Sequence, residues 1–95
     1  MRIRFYVDPE TGLPHIYAHN VVEQEVEDAL LRPAEDGAGR DRTRIAIGRT
    51  RAGRMLKVIY VPAQMPSSLF VITAYELRGN QLQAFRRRQK RKRRR

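Results

Sequence analysis

The segment Leu69-Phe70-Val71-Ile72-Thr73-Ala74-Tyr75 is apolar at odd and even positions alike, so a strand made from it has no polar side to turn to water. It belongs in the middle of a sheet. The two segments before it also read as strands, Thr43–Arg49 and Met55–Pro62, and the short glycine-bearing link Thr50-Arg51-Ala52-Gly53 between them suits a hairpin. With Ser68–Tyr75 as the third strand, residues 43–75 form a three-stranded antiparallel meander.

At the other end of the chain, Ile3, Phe5 and Val7 alternate with Arg2, Arg4 and Tyr6, which predicts a half-buried strand over residues 2–7. Asp8-Pro9-Glu10-Thr11-Gly12 stops it. Val22, Val26, Ala29 and Leu30 then recur at helical spacing with acids between them, predicting an amphipathic helix over about 20–32. Asn20 is its expected N-cap, with Glu23 three residues on, and Pro33 is its expected end. Ala34 to Asp41 lacks periodicity and reads as a loop. After the meander, Arg78-Gly79-Asn80 makes a turn, and Leu82 and Phe85 pin the start of a short C-terminal helix. A strand and a helix followed by three strands and a short helix describe an α+β domain, its helix packed on one face of a mostly antiparallel sheet.

The charge of this 95-residue chain is +10, and it is unevenly placed. Residues 86–95 hold nine of the 20 basic groups and no acid, which leaves 11 bases against 10 acids in residues 1–85. The expected organisation is one domain over residues 1–85 and a basic tail over residues 86–95. A block of like charge has nothing to bury, so about the last eight residues read as solvated, helical where they leave the body. Such a tail can neutralise up to about nine phosphates, for a log–log salt slope near −6 on single-stranded nucleic acid. Within the body, Glu23, Glu25, Glu27 and Asp28 crowd one segment, while Arg40, Arg42, Arg44, Arg49, Arg51, Arg54 and Lys57 crowd another. That separation predicts one acidic face and one basic face. Cysteine is absent, the N-terminus leads into charge rather than an apolar core, and no apolar run approaches membrane-spanning length. A soluble, cytoplasmic domain without a membrane partner is expected.

His15 and His19 stand four apart, but Ile16-Tyr17-Ala18 between them lacks the glutamate of H-E-x-x-H and no third ligand is evident, so no metal is expected. Neither glycine-rich phosphate-loop pattern occurs in the chain, so a nucleotide-binding enzyme is not expected, nor is any cofactor. Ser67-Ser68 has no neighbouring histidine or nucleophile elbow. The basic hairpin is the stronger candidate site. Arg49, Arg51 and Arg54 surround its turn and Lys57 lies three residues further on, a set of donors suited to phosphate oxygens. Tyr60 and Tyr75 offer rings for base stacking and hydroxyls that share protons. Such a site suits metal-free cleavage of RNA: a ribose 2′-OH attacks the adjacent phosphorus, arginines hold the developing charge, and Lys, His or Tyr moves the protons.

The run Ile47-Gly48-Arg49-Thr50-Arg51-Ala52-Gly53-Arg54-Met55-Leu56-Lys57-Val58-Ile59-Tyr60, with Phe70-Val71-Ile72-Thr73-Ala74-Tyr75 after it, resembles the "IG-x-T-x-x-GR-x-L-x-V-x-Y … I-x-x-A" core of BrnT-like toxins. His19-Asn20-Val21, followed by Glu25-Val26, is similar to that family's "HGV" element and the helix after it. The resemblance spans about residues 1–77, and related small-domain families of uncharacterised activity share the pattern. It implies a RelE/ParE-like domain that cleaves RNA and is held inactive by an antitoxin encoded beside it. On that resemblance the family's arginine before the second hairpin strand falls on Arg54 and its histidine on His19. Where the family has the arginine of an "S-A-R" segment, this chain has Tyr75.

Together these readings make Arg54 and Arg49 the groups expected to stabilise phosphate charge, with Lys57 assisting and His19 or Tyr75 transferring protons. Arg51, Tyr60 and the tail residues Arg86, Arg87, Arg88, Lys90, Arg91, Lys92, Arg93, Arg94 and Arg95 are the expected RNA contacts. Two other functions fit the same residues. One is a non-catalytic RNA- or ribosome-binding module that grips through the tail. The other is a partner-binding protein whose acidic helix, around Glu23 to Asp28, docks a basic chain.

Overall fold

Five strands form one mixed sheet in the computed structural model, which describes residues 2–63 and 67–93. They are β1 (Arg2–Phe5), β2 (Glu35–Ala38), β3 (Arg44–Arg49), β4 (Met55–Pro62) and β5 (Ser68–Glu76), in the spatial order β1-β5-β4-β3-β2. β1 runs parallel to β5, placing Ile3 beside Leu69 and Phe5 beside Val71, and the remaining pairs are antiparallel. Helix α1 (Glu23–Leu31) follows a 3-10 turn at His15–His19, and helix α2 (Gly79–Arg93) follows β5.

The doubly apolar segment lies inside the sheet, as β5 between β1 and β4. Its pairing with β4 shifts register between Ile59 and Tyr60, so Ile59 faces Thr73 while Tyr60 faces Val71. That bulge puts Val71 and Ala74 on the same side although they are three apart, and both are fully buried. Phe70, Thr73 and Tyr75 take the other side.

On the first side α1 packs its apolar stripe. Val26, Ala29 and Leu30 meet Ala46, Leu56, Val58, Tyr60, Val71 and Ala74, with Ile16 and Val21 closing the cluster. Gly48 is required at this contact, because a Cβ there would collide with the Ala29 carbonyl. The helix can approach β3 only where the strand has no side chain.

Two helices flank the sheet, one on each side, rather than one helix on one side. Ile47 and Met55 point away from α1, and they join Leu77, Leu82 and Phe85 in a second, smaller cluster beneath α2. The C-terminal helix is longer than Leu82 and Phe85 alone imply, since it carries the basic run as far as Arg93.

Three other expectations are corrected. Asn20 does not begin α1; it ends the 3-10 turn in the left-handed region, at φ 60° and ψ 39°, a conformation asparagine tolerates. The helix starts at Glu23 behind an extended Val22, whose N–H donates to the Glu25 carboxylate at 3.1 Å. Residues 35–38 are a strand and not loop, because β3 offers an open edge that Glu35 to Ala38 can pair with. The N-terminal strand is also shorter than its alternation suggests: it stops at Phe5, and Val7 bridges Pro14 across the next turn.

Candidate functional site

The acidic and basic segments do not form separate faces; α1 and the β3–β4 hairpin lie against each other and their charges pair. Arg54 donates from Nη1 to Glu25 at 2.7 Å and from Nε to Glu76 at 3.3 Å. The same Nη1 donates to the Asn20 carbonyl at 3.1 Å, which fixes the backbone immediately after His19. Hydrogen bonding to Glu25 keeps the guanidinium protonated beyond even its usual range. Arg54 is therefore a clamp on the helix start, with its charge already met by two carboxylates. Arg51 is arranged differently: its backbone N–H donates to Asp28 at 3.1 Å, while its side chain is 85% exposed. That backbone contact, helped by Gln24, holds the Asp28 carboxyl below the usual carboxylate range.

Tyr60 is only 5% exposed, with its ring in the main core. Its hydroxyl donates to Asp36 at 2.8 Å, and burial together with that bond pushes the phenol up. The ring has no face open to a base.

The far side of the sheet brings other candidates together. Lys57 on β4 and Tyr75 on β5 are cross-strand partners, with the Lys57 ammonium 5.8 Å from the Tyr75 ring centroid. His19 comes next, 5.8 Å from Tyr75 between centroids, and then His15, 5.3 Å from His19 in an edge-on arrangement. The row exists because β1 stops at Phe5, so the 3-10 turn takes the place beside the last half of β5. Gln81 of α2 accepts from Lys57 at 3.4 Å and borders the row on the other side. An ammonium, a phenol and two imidazoles thus line up on a partly open surface. His15 lies 3.6 Å from Asp8. Among the described residues no group of three or more metal-ligating side chains occurs.

Arg49 belongs to neither arrangement. It lines a cleft between the hairpin and α2, together with Arg32, Arg86 and Lys90. The rest of the basic run divides by helical position. Arg88 makes a two-pronged contact with Glu35, at 2.8 and 2.9 Å, which docks α2 onto β2. Arg88 holds the Glu35 carboxyl below the usual range. Arg87, Arg91 and Lys92 are exposed on α2, and no carboxylate bonds to them among the described residues. Arg93 ends the helix, and Arg94 and Arg95 lie outside the described residues.

Sequence reasoning did not single out Glu25, Glu76 or Gln81, the partners that decide which cations are free. Glu25 was named only as part of the acidic segment and of the family-like element, and nothing local marks Glu76 or Gln81. No described helix is long and apolar enough to cross a membrane. No family model, no curated protein and no solved structure matches the chain.

Proposed function

We propose that this chain is a toxin-like, RNA-directed protein of a toxin–antitoxin pair, with a RelE/ParE-like topology, and that it cleaves RNA without a metal. The observation that carries this reading is the row of Lys57, Tyr75 and His19 on the open side of the sheet. Histidine and tyrosine supply proton acceptors and donors, and the ammonium supplies a fixed positive charge beside them. The exposed cations of α2 border that side and give an RNA strand a favourable approach.

In this mechanism His19 takes the proton of a ribose 2′-OH as its oxygen bonds to the adjacent phosphorus. The bond from phosphorus to the 5′ oxygen breaks, and Tyr75 delivers a proton to that oxygen. Lys57 stabilises the charge on the phosphoryl oxygens between the two events. The products are a 2′,3′-cyclic phosphate and a 5′-hydroxyl end. Tyr75 stands where the resembled toxins carry an arginine, and its cross-strand neighbour Lys57 keeps a cation at that place. Arg54 is a positioning residue, acting on His19 through the Asn20 carbonyl.

The test is RNA integrity in a translating extract with added chelator, followed by analysis of the new ends. The expected result is cleavage that persists in chelator and leaves cyclic phosphates, lost with His19→Ala and with Tyr75→Phe. Intact RNA would contradict the catalytic reading. Binding that survives both substitutions but disappears with Arg87→Glu/Arg91→Glu would favour the non-catalytic RNA- or ribosome-binding module, which the exposed cations of α2 support.

A further inference from the structure

The cleft between α2 and the hairpin is separate from the row of Lys57, Tyr75 and His19, and its chemistry is different. Its volume is about 530 Å³, within the range of small-molecule sites. Four cations stand around it: Arg32 from the end of α1, Arg49 from β3, and Arg86 and Lys90 from α2. None of them bonds to a carboxylate among the described residues, and no acid lines the cleft. The contrast with Arg54, Arg51 and Arg88 is sharp, since each of those has its own carboxylate. Beneath the cations lies an apolar floor of Met55, Leu82 and Phe85, which belongs to the smaller core.

Converging unpaired cations repel one another, and a multivalent anion relieves that repulsion while gaining charge-assisted hydrogen bonds from guanidinium forks. The apolar floor adds a requirement that inorganic phosphate does not meet. A ligand fitting both parts carries several phosphates and a flat, weakly polar ring. We propose that the cleft binds a polyphosphorylated nucleotide, with its phosphates on Arg32, Arg49, Arg86 and Lys90 and its base against the half-buried Met55 and Leu82, which rest on the buried Phe85. The chain has no glycine-rich phosphate loop, so side chains rather than backbone N–H groups hold the phosphates. Gly53, at φ 93°, lines the cleft with open space where a side chain would stand, which leaves the mouth clear.

Calorimetric titration of the full chain with ATP, inorganic tripolyphosphate and adenosine, at fixed moderate salt and without RNA, tests this. One nucleotide is expected per chain, with tripolyphosphate weaker and adenosine not binding. Arg86→Glu/Lys90→Glu is expected to weaken ATP by about tenfold or more. A charge-matched control at exposed, distant positions, Arg2→Glu/Arg40→Glu, is expected to stay within about twofold. Circular dichroism of both variants checks that they fold. Equal losses in the two variants would overturn the proposal, because the attraction would then be the diffuse field of a +10 chain. Tripolyphosphate binding as tightly as ATP would overturn the role of the apolar floor. If ATP binds neither protein while an RNA oligonucleotide loses affinity with the cleft variant alone, the cleft is a strand-binding groove. The ATP readout needs no cleavage, so it can fail while the ribonuclease reading stands, and the reverse.

Discussion

The two sides of the sheet use the same residue types for opposite purposes. Beneath α1 the apolar residues form one continuous buried cluster, and the cations at its border, Arg54 and Arg51, are paired with carboxylates of α1 and β5. Beneath α2 the cluster is smaller, the sheet is half open, and Lys57, Arg49, Arg86 and Lys90 bond to no carboxylate among the described residues. A guanidinium already held by carboxylates has little left for a phosphate; one facing a cleft without acids has its full charge to give. Burial and pairing thus separate the cations that hold the fold from those available to a ligand, a distinction that counting charges along the chain cannot make.

The comparison breaks if the two clusters contribute equally to stability. Leu56 is fully buried under α1, whereas Leu82 is half buried under α2. Leu56→Ala is expected to destabilise the chain by about 2–5 kcal/mol in urea unfolding, and Leu82→Ala by clearly less. Equal losses would mean that both sides are core.

A smaller effect tests the clamp. Arg54→Met removes the cation that bridges Glu25 and Glu76, leaving Glu76 with Arg78 alone, and frees the Asn20 carbonyl. A loss of about 1–3 kcal/mol is expected, with Arg54→Lys recovering only part of it, because an ammonium cannot reach three acceptors in a fork geometry. No loss would place Arg54 among the available cations.

Acid tests the seam between α2 and β2. Arg88 lowers the Glu35 carboxyl below its usual range, so the contact contributes stability above the unfolded carboxylate value, and this is lost as pH falls through the lowered one. Below about pH 4 the helix is expected to loosen, at about 1 kcal/mol or less because Arg88 is partly exposed. Amide exchange along α2, compared between wild type and Glu35→Gln, reads this directly. Wild type should move toward the variant as pH falls.

Much of the frame was legible in the letters. Doubly apolar β5 declared its interior place, between β1 and β4, and the β3–β4 hairpin was bounded by its own turn residues. β2 was not legible, because Glu35-Asp36-Gly37-Ala38 carries no apolar alternation; its pairing is imposed by the edge of β3, and its two acids are used by Arg88 and by Tyr60. Asn20 misled because a residue suited to starting a helix is equally suited to ending a turn in the left-handed region. The site was half legible for a related reason. Lys57, Tyr75 and His19 come from three elements, and their meeting depends on where β1 stops. Whether Arg54 is available depends on Glu25 and Glu76, which lie 29 and 22 residues away and leave no local signature.

The most direct test of the account is a paired measurement on Lys57→Met, which keeps an unbranched side chain one atom shorter and removes its charge. Urea unfolding should change by less than about 0.5 kcal/mol, since Lys57 has no carboxylate partner among the described residues. RNA cleavage in a translating extract should fall by about a hundredfold or more. Cleavage at the wild-type rate by a stably folded Lys57→Met chain would contradict the assignment of this side of the sheet to function.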